Sequence, residues 1–402
     1  MTPNGAPRVR FRVLEIASVG AATWCGRLLA DLGAEVIKIE PPGGCGTRGR
    51  GPFWNEPGIP TVSLSFLWNN LNKKGITLNL ASGEGQDLFR RLVRTADAVV
   101  ESTAPGYLES LGVGYAQLKQ TRPALVWTSM TPFGRTGPKA NWKGTDLVAF
   151  AAGGLMYISG KPEGPPVAAP DDQAYKTGGG HGAFGTLAAL WARHETGLGQ
   201  FVEVSLQECL AAQENLITDF SRKGEVIPRT GSQHRRAVPG RIYPCKDGFV
   251  HLMVIHTQPG SWENFLDWVG NPPELLDPRL KDPMYRRAHP EVVDEFVRGF
   301  LSEYTKEELY HRAQERRIPC TPVNTPADFL HDGQIESRGV VTRVKVHGAE
   351  AKTLGLPFKS TRDEWMSLSS APEVGEQNHD IYEREMGLTP ARIEALIEAG
   401  VI

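Results

Sequence analysis

The sequence contains no long apolar run, no surplus of either charge and few cysteines. No stretch approaches the ~20 apolar residues that a membrane-spanning helix needs. The opening MTPNGAPRVRFRVLEIA lacks an apolar core and a cleavage site, so no secretory signal is expected. Basic and acidic side chains nearly balance, 44 against 46, which argues against nucleic acid or an anionic membrane as the main partner. The five cysteines (Cys25, Cys45, Cys209, Cys245, Cys320) lie far apart and form neither a CxxC pair nor a zinc pattern. Reduced thiols used as small apolar residues are expected, and with them a cytoplasmic location. No metal cluster is visible. The first glycine turn is not a GxGxxG fingerprint, so no nicotinamide cofactor is expected.

What is present is an α/β chain. Its 402 residues suit two domains rather than one core. Arg12 to Ile16 reads as a buried strand, Gly20-Ala21-Ala22 as a tight crossing, Cys25 to Leu32 as a helix stopped by Gly33, and Ala34 to Glu40 as a second strand. Strand, small-residue turn, helix, strand opens a parallel doubly wound sheet. The pattern continues through Ile76, Leu78 and Leu80, a helix from Ser82, and the strands Asp97 to Glu101 and Ala124 to Met130. A helix is expected over Asp146 to Leu155, another over Ala183 to Arg193, a strand over Phe201 to Ser205 and a helix over Leu206 to Phe220. The boundaries expected are a Rossmann-like large domain over 1–220, a linker over 221–236, a smaller α+β domain over 237–330, and a segment over 331–402 returning to the large domain. In the small domain, Lys246-Asp247-Gly248 reads as a hairpin turn. Thr305 with Glu308 reads as a capping box, and Thr325-Pro326 and Thr389-Pro390 as helix starts. Gly339 to Lys345 is strand-like and Arg392 to Ala399 a short helix.

Several stretches together resemble the family III CoA-transferases, the group that includes formyl-CoA transferase and carnitine CoA-transferase. They are VLEIASVGAATWCGRLLADLGAEVIKIEPPGG, NKKGITLNLASGEGQDLFRRLVRTADAVVES, TPFGRTGP, GTDL, PCKDGFVHLMV, LGLPFKST and APEVGEQN. The most specific is GTLAALWARHETGLGQFVEVSLQE. The resemblance covers nearly the whole length. It implies a Rossmann-like large domain, a small domain, and two chains threaded into an interlocked dimer. It implies a CoA thioester and a carboxylic acid as substrates, with no tightly bound cofactor and no metal.

The family's chemistry uses an aspartate. Its carboxylate attacks the acyl-CoA carbonyl, the departing CoA thiolate returns to form an aspartyl-CoA thioester, and the acceptor acid then takes the CoA. Glycine amides at a helix start suit the oxyanion. Counted back without a gap from Gly185, the aspartate's position falls on Tyr175; one gap in Gly178-Gly179-Gly180 moves it to Ala174. The nearest carboxylates are Asp171 and Asp172. Either Asp172 is a shifted nucleophile in an active homodimer, or it is a loop and helix-capping residue. In the second case the chain resembles the aspartate-lacking subunit of a heteromeric member such as benzylsuccinate CoA-transferase. An α-methylacyl-CoA racemase is disfavoured, because Thr145 stands before Asp146 where that group has histidine, and His181 is alone.

The resemblance places CoA against Val19, Gly20 and Ala21, against Asn72, Lys73 and Lys74, and against Ser102, Thr103 and Leu111. Lys73 and Lys74 are the expected phosphate partners, because Pro41, Pro42 and Ser110 stand where formyl-CoA transferase has arginines. Arg229, Arg235, Arg236 and Arg241 either face a carboxylate substrate or belong to a solvated linker. Trp262, Phe265, Trp268 and Tyr285 read as core.

Overall fold

The protein is described by a computed structural model over residues 11–17, 20–235, 237–359, 361 and 368–402. Its organising element is a six-stranded parallel sheet. β1 (Arg12–Ile16) leads through α1 (Ala21–Asp31) to β2 (Glu35–Glu40). Then come α2 (Leu64–Asn70), β3 (Lys74–Thr77), α3 (Gly83–Thr95), β4 (Ala98–Glu101) and β5 (Val126–Thr131). α4 (Asp146–Ala152), α5 (Gln173–Thr196), β6 (Phe201–Ser205) and α6 (Leu206–Ala211) complete it. The strand order is β3-β2-β1-β4-β5-β6 and every pairing is parallel. The order reverses between β1 and β4, and ligands of doubly wound sheets bind at such a switch point, beyond the strands' carboxyl ends.

The sheet is apolar on both faces because helices cover both. One face packs Val13, Val36, Val100 and Met130 against Cys25 and Leu29 of α1 and Ala183 and Ala189 of α5. The other packs Leu14, Ile37, Val99 and Trp127 against Leu88, Phe89 and Leu92 of α3. α3 begins at Ser82, whose hydroxyl accepts the Gly85 amide at 3.0 Å. Ile381, Tyr382, Leu396, Val401 and Ile402 join this second face, so the C-terminal segment is part of the large unit's core. Asn79 receives it: its amide donates to Val401 O at 2.7 Å.

α5 corrects the expectation of a glycine loop followed by a helix from Ala183. It runs for 24 residues, and Gly178, Gly179 and Gly180 lie inside it. Helix propensity would forbid this run, but packing decides it. A Cβ at Gly179 would stand 2.6 Å from Ala21 O and 2.9 Å from Trp24 Cβ, and one at Gly178 would fall on Leu206. The glycines let α5 lie against α1 and α6 at backbone distance. The region expected as one helix over Leu206 to Phe220 is two, ending at Ala211 and resuming at Leu216. Leu78 and Leu80 are buried but lie past the end of β3.

The chain divides into two compact units. The larger holds residues up to Met156, Ala168–Glu225 and Gly339–Ile402; the smaller holds Tyr157–Val167 and Val226–Arg338. The smaller is built on an antiparallel sheet of β7 (Gly240–Cys245), β8 (Gly248–Met253) and β9 (Cys320–Pro322), with the hairpin at Lys246-Asp247. Trp262, Phe265 and Trp268 are core there, and Tyr285 packs against them. The Thr305–Glu308 capping box forms in both directions. β10 (Val341–Val346) and β11 (Ala349–Leu354) pair as a hairpin in the larger unit.

Candidate active site

At the switch point, α1 starts on Gly20, held at φ 110°, where an L side chain is strained. The Ser102 hydroxyl, just past β4, accepts the Ala22 amide at 3.0 Å and fixes that start. Opposite stands Tyr175 in the first turn of α5. A Cβ on Gly20 would sit 3.8 Å from its ring, an ordinary contact, so the backbone conformation rather than space for the phenol requires the glycine. Burial pushes the Tyr175 hydroxyl above its usual value, which keeps it protonated at neutral pH.

Three carboxylates surround this tyrosine, and each has a partner. Asp146 heads α4, and its Oδ1 accepts the Tyr175 amide at 2.8 Å, with Ala174 adding a second backbone bond. It therefore caps α5 from another helix. Burial raises its carboxyl, and the two amides pull it back down. Asp172 occupies the N-cap position of α5, yet its side chain caps nothing. It reaches Arg50 instead, with Nη1–Oδ2 at 3.0 Å and Nη2–Oδ1 at 3.1 Å, a forked pair. The capping expectation for Asp172 thus holds for its backbone position and fails for its carboxylate. Asp171 pairs with Lys176, whose ammonium also lies 5.8 Å over the Trp24 ring. Asp171 and Asp172 are both left-handed, at φ 65° and 54°.

Gly20, Thr23, Trp24, Arg50, Phe66, Asp172 and Tyr175 line one solvent-open cleft. The glycine amides expected as oxyanion donors do not face it as free groups. Gly178 to Gly180 lie past the first four residues of α5, where amides bond within the helix.

The expected CoA contacts separate into two sets. Gly20 lines the cleft, and Ala21 and Ser102 adjoin it at the start of α1. Thr103 stands beside Ser102, with its amide and hydroxyl both on Glu101 Oε2 at 2.6 and 2.7 Å. Leu111 packs on the α3 side of the sheet, and Val19 lies outside the described residues. Asn72 is turned away, donating to Asp31 at 2.7 Å and accepting from the Ser369 amide. Lys74 pairs with Glu35 at 2.5 Å.

Lys73 departs furthest from its expected role as a phosphate cation. Its ammonium is fully buried, 2.7 Å from Glu15 Oε2, and donates to Thr23 O and Asn70 Oδ1. Lys38 meets the other Glu15 oxygen at 3.0 Å, equally buried. Burial draws Lys73 down to about 8, against the pull of Glu15. The lysine is a structural counter-ion because β2 and the α2–β3 turn aim both cations at one carboxylate.

Among the other candidates, Thr145 is the N-cap residue of α4, and His181 is exposed with Nδ1 at 2.9 Å from Thr177 O. Arg229 donates to the carbonyls of Lys161, Tyr157 and Gly164, and Arg241 to Asp294. Arg236 lies outside the described residues. Asp146 as a cap and Arg50 as the partner of Asp172 were missed from sequence. The acid opening Asp-Leu-Val-Ala-Phe marks Asp146 as a helix start, but nothing local points Arg50 across 122 residues. Among the described residues no group of three or more His, Cys, Asp or Glu is arranged to hold a metal ion. Nor is any described helix long and apolar enough to cross a membrane.

The model of CoA-transferase family III matches residues 10–378. The chain is 34% identical to the succinyl-CoA:(R)-benzylsuccinate CoA-transferase subunit BbsE of Thauera aromatica, over 98% of this chain and 97% of that one. It is 31% identical to the formyl-CoA:oxalate CoA-transferase of Streptomyces coelicolor, over 98% of each. The crystal structure of a CAIB/BAIF family protein from Brucella suis superposes with a TM-score of 0.83 at 28% identity, covering 93% of this chain and 98% of that one.

Proposed function

This chain belongs to CoA-transferase family III, and we propose that it acts as the subunit of a heteromeric member that does not carry the nucleophile. One observation carries the reading. At the start of α5, where the family's aspartate is expected, stands a neutral phenol whose three neighbouring carboxylates are all engaged. An attacking carboxylate must be ionised and aimed at the reacting carbonyl from the nucleophile's own position. Asp146 holds helix amides, and Asp172 is forked on Arg50. The relative named as a subunit supports the same view.

In this reading the aspartate belongs to a homologous chain. Its oxygen attacks the donor thioester carbonyl, the C–S bond breaks, and CoA leaves as thiolate from a mixed anhydride. The thiolate attacks the aspartyl carbonyl and expels the donor carboxylate. The acceptor carboxylate attacks the aspartyl-CoA thioester carbonyl, breaks its C–S bond to expel CoA thiolate, and forms a second mixed anhydride. The returning thiolate attacks the acyl group of the new anhydride and frees the aspartate. Electrons and protons balance without a cofactor. This chain supplies the Gly20–Ala21 turn to the pantetheine arm and its long apolar helix to the interlocked partner. Phe184 and Trp191, on one exposed stripe of α5, suit such a partner.

The test is CoA transfer by the purified chain, alone and co-expressed with an aspartate-bearing homologue. Turnover in the mixture only is expected. Full turnover by this chain alone would make Asp172 a shifted nucleophile and end the subunit reading.

A further inference from the structure

We propose that Arg50 is the carboxylate-recognising residue of this cleft, and that Asp172 occupies it until a carboxylic acid arrives. The inference rests on the reading of this chain as part of a CoA-transferase that handles a carboxylic acid. Arg50 is half exposed and its guanidinium faces Asp172 in the forked geometry that a ligand carboxylate would adopt. Its backbone is anchored, since Arg50 O accepts the Ser63 hydroxyl that also receives the Phe66 amide at 3.1 Å. The arginine is thus a fixed donor on a loop held to α2.

Asp172 is suited to leave. It bonds no amide of α5, so releasing its carboxylate breaks no helix cap. Its left-handed backbone, next to left-handed Asp171, favours relaxation once the ion pair opens. Trp24, Phe66 and Tyr175 give the cleft an apolar wall, and Thr47, Ser65, Asn69 and Lys176 add polar groups to its lining. A guanidinium beside three rings fits a carboxylic acid with an aromatic or apolar arm.

Isothermal titration of the chain in its native assembly tests this without CoA and without turnover. The probes are 3-phenylpropionate and the matching alcohol, 3-phenylpropanol. The acid is expected to bind at least tenfold tighter than the alcohol. Asp172→Asn should tighten acid binding roughly threefold to tenfold by removing an internal competitor. Arg50→Gln should abolish the preference for the acid, and the double variant should match Arg50→Gln. The Arg50 side chain is half exposed and that of Asp172 partly exposed, and an unchanged urea midpoint confirms folding of each variant. Equal binding of acid and alcohol, no binding of either, or an acid affinity unmoved by Asp172→Asn overturns the proposal. Because CoA is absent, such a failure leaves the subunit reading standing. That reading fails on turnover by this chain alone or on where the covalent intermediate forms.

Discussion

Replacing Gly26 with alanine tests the buried charge cluster more sharply than removing any of its charges. In an ordinary helix interior the change stabilises by ~1 kcal/mol, because glycine costs backbone entropy. Gly26 lies inside α1, but its missing Cβ faces the Glu15 carboxylate. A methyl there would fall on Oε2, 3.1 Å from Cδ and 3.4 Å from Val36 Cγ1. A solvated glutamate would swing aside at little cost. Glu15 cannot, because Lys73 holds that same oxygen at 2.7 Å and Lys38 holds the other at 3.0 Å, with all three side chains fully buried. Moving it strands at least one ammonium in the core, and breaking a buried pair costs ~3–5 kcal/mol. Subtracting the propensity gain leaves a net loss of roughly 2–4 kcal/mol. Urea unfolding followed by circular dichroism reads it as a lowered midpoint. The Glu15→Ala variant should also be destabilised, since two cations lose their counter-ion. Adding Gly26→Ala to it should cost little, because the methyl then enters vacated space, so the pair should be non-additive by at least about 1 kcal/mol. A Gly26→Ala variant as stable as the parent, or simple additivity, refutes the reasoning.

Other consequences follow from single contacts. Asp146→Asn weakens the acceptor for the first amides of α5 and should cost about 1 kcal/mol by urea unfolding, with Asp146→Ala costing more. Gly179→Ala drives a methyl against Ala21 O, which cannot retreat, so α1 and α5 should separate and the melting temperature should fall by several degrees, by roughly 1–3 kcal/mol of overpacking. Alkaline pH should also lower stability through the buried thiols. Burial lifts Cys209 from the ordinary value near 9 to about 11. The unfolded chain therefore releases that proton first, and the contribution, full below the ordinary value, is lost as pH climbs through about 11. Cys209→Ala should flatten that part of the urea-midpoint profile, and an unaltered slope would show that other groups set it.

The parallel sheet was readable because its strands are short apolar runs between helix periods, and local patterning reports burial directly. The capping box at Thr305 was readable for the same reason, since all its atoms lie within four residues. The glycine run was misread. Gly178 and Gly179 look like a loop by propensity, and only the approach of α1 and α6, distant in sequence, makes helix the better solution. Lys73 failed for a similar reason. Next to Asn72 and Lys74 it reads as a surface cation, and its counter-ion Glu15 lies 58 residues away on β1. Tyr175 was assigned to the aspartate's position by register from Gly185 alone; in the structure its ring lies beside Gly20 at the switch point.

The most direct test of the nucleophile's location is chemical. The native assembly is incubated with its acyl-CoA donor, the intermediate is cleaved with hydroxylamine or reduced with borohydride, and the modified residue is mapped by mass spectrometry. The peptide holding Asp171, Asp172 and Tyr175 should stay unmodified, and the label should sit on an aspartate of a homologous partner chain. A hydroxamate or reduced alcohol on Asp172 would contradict the subunit reading.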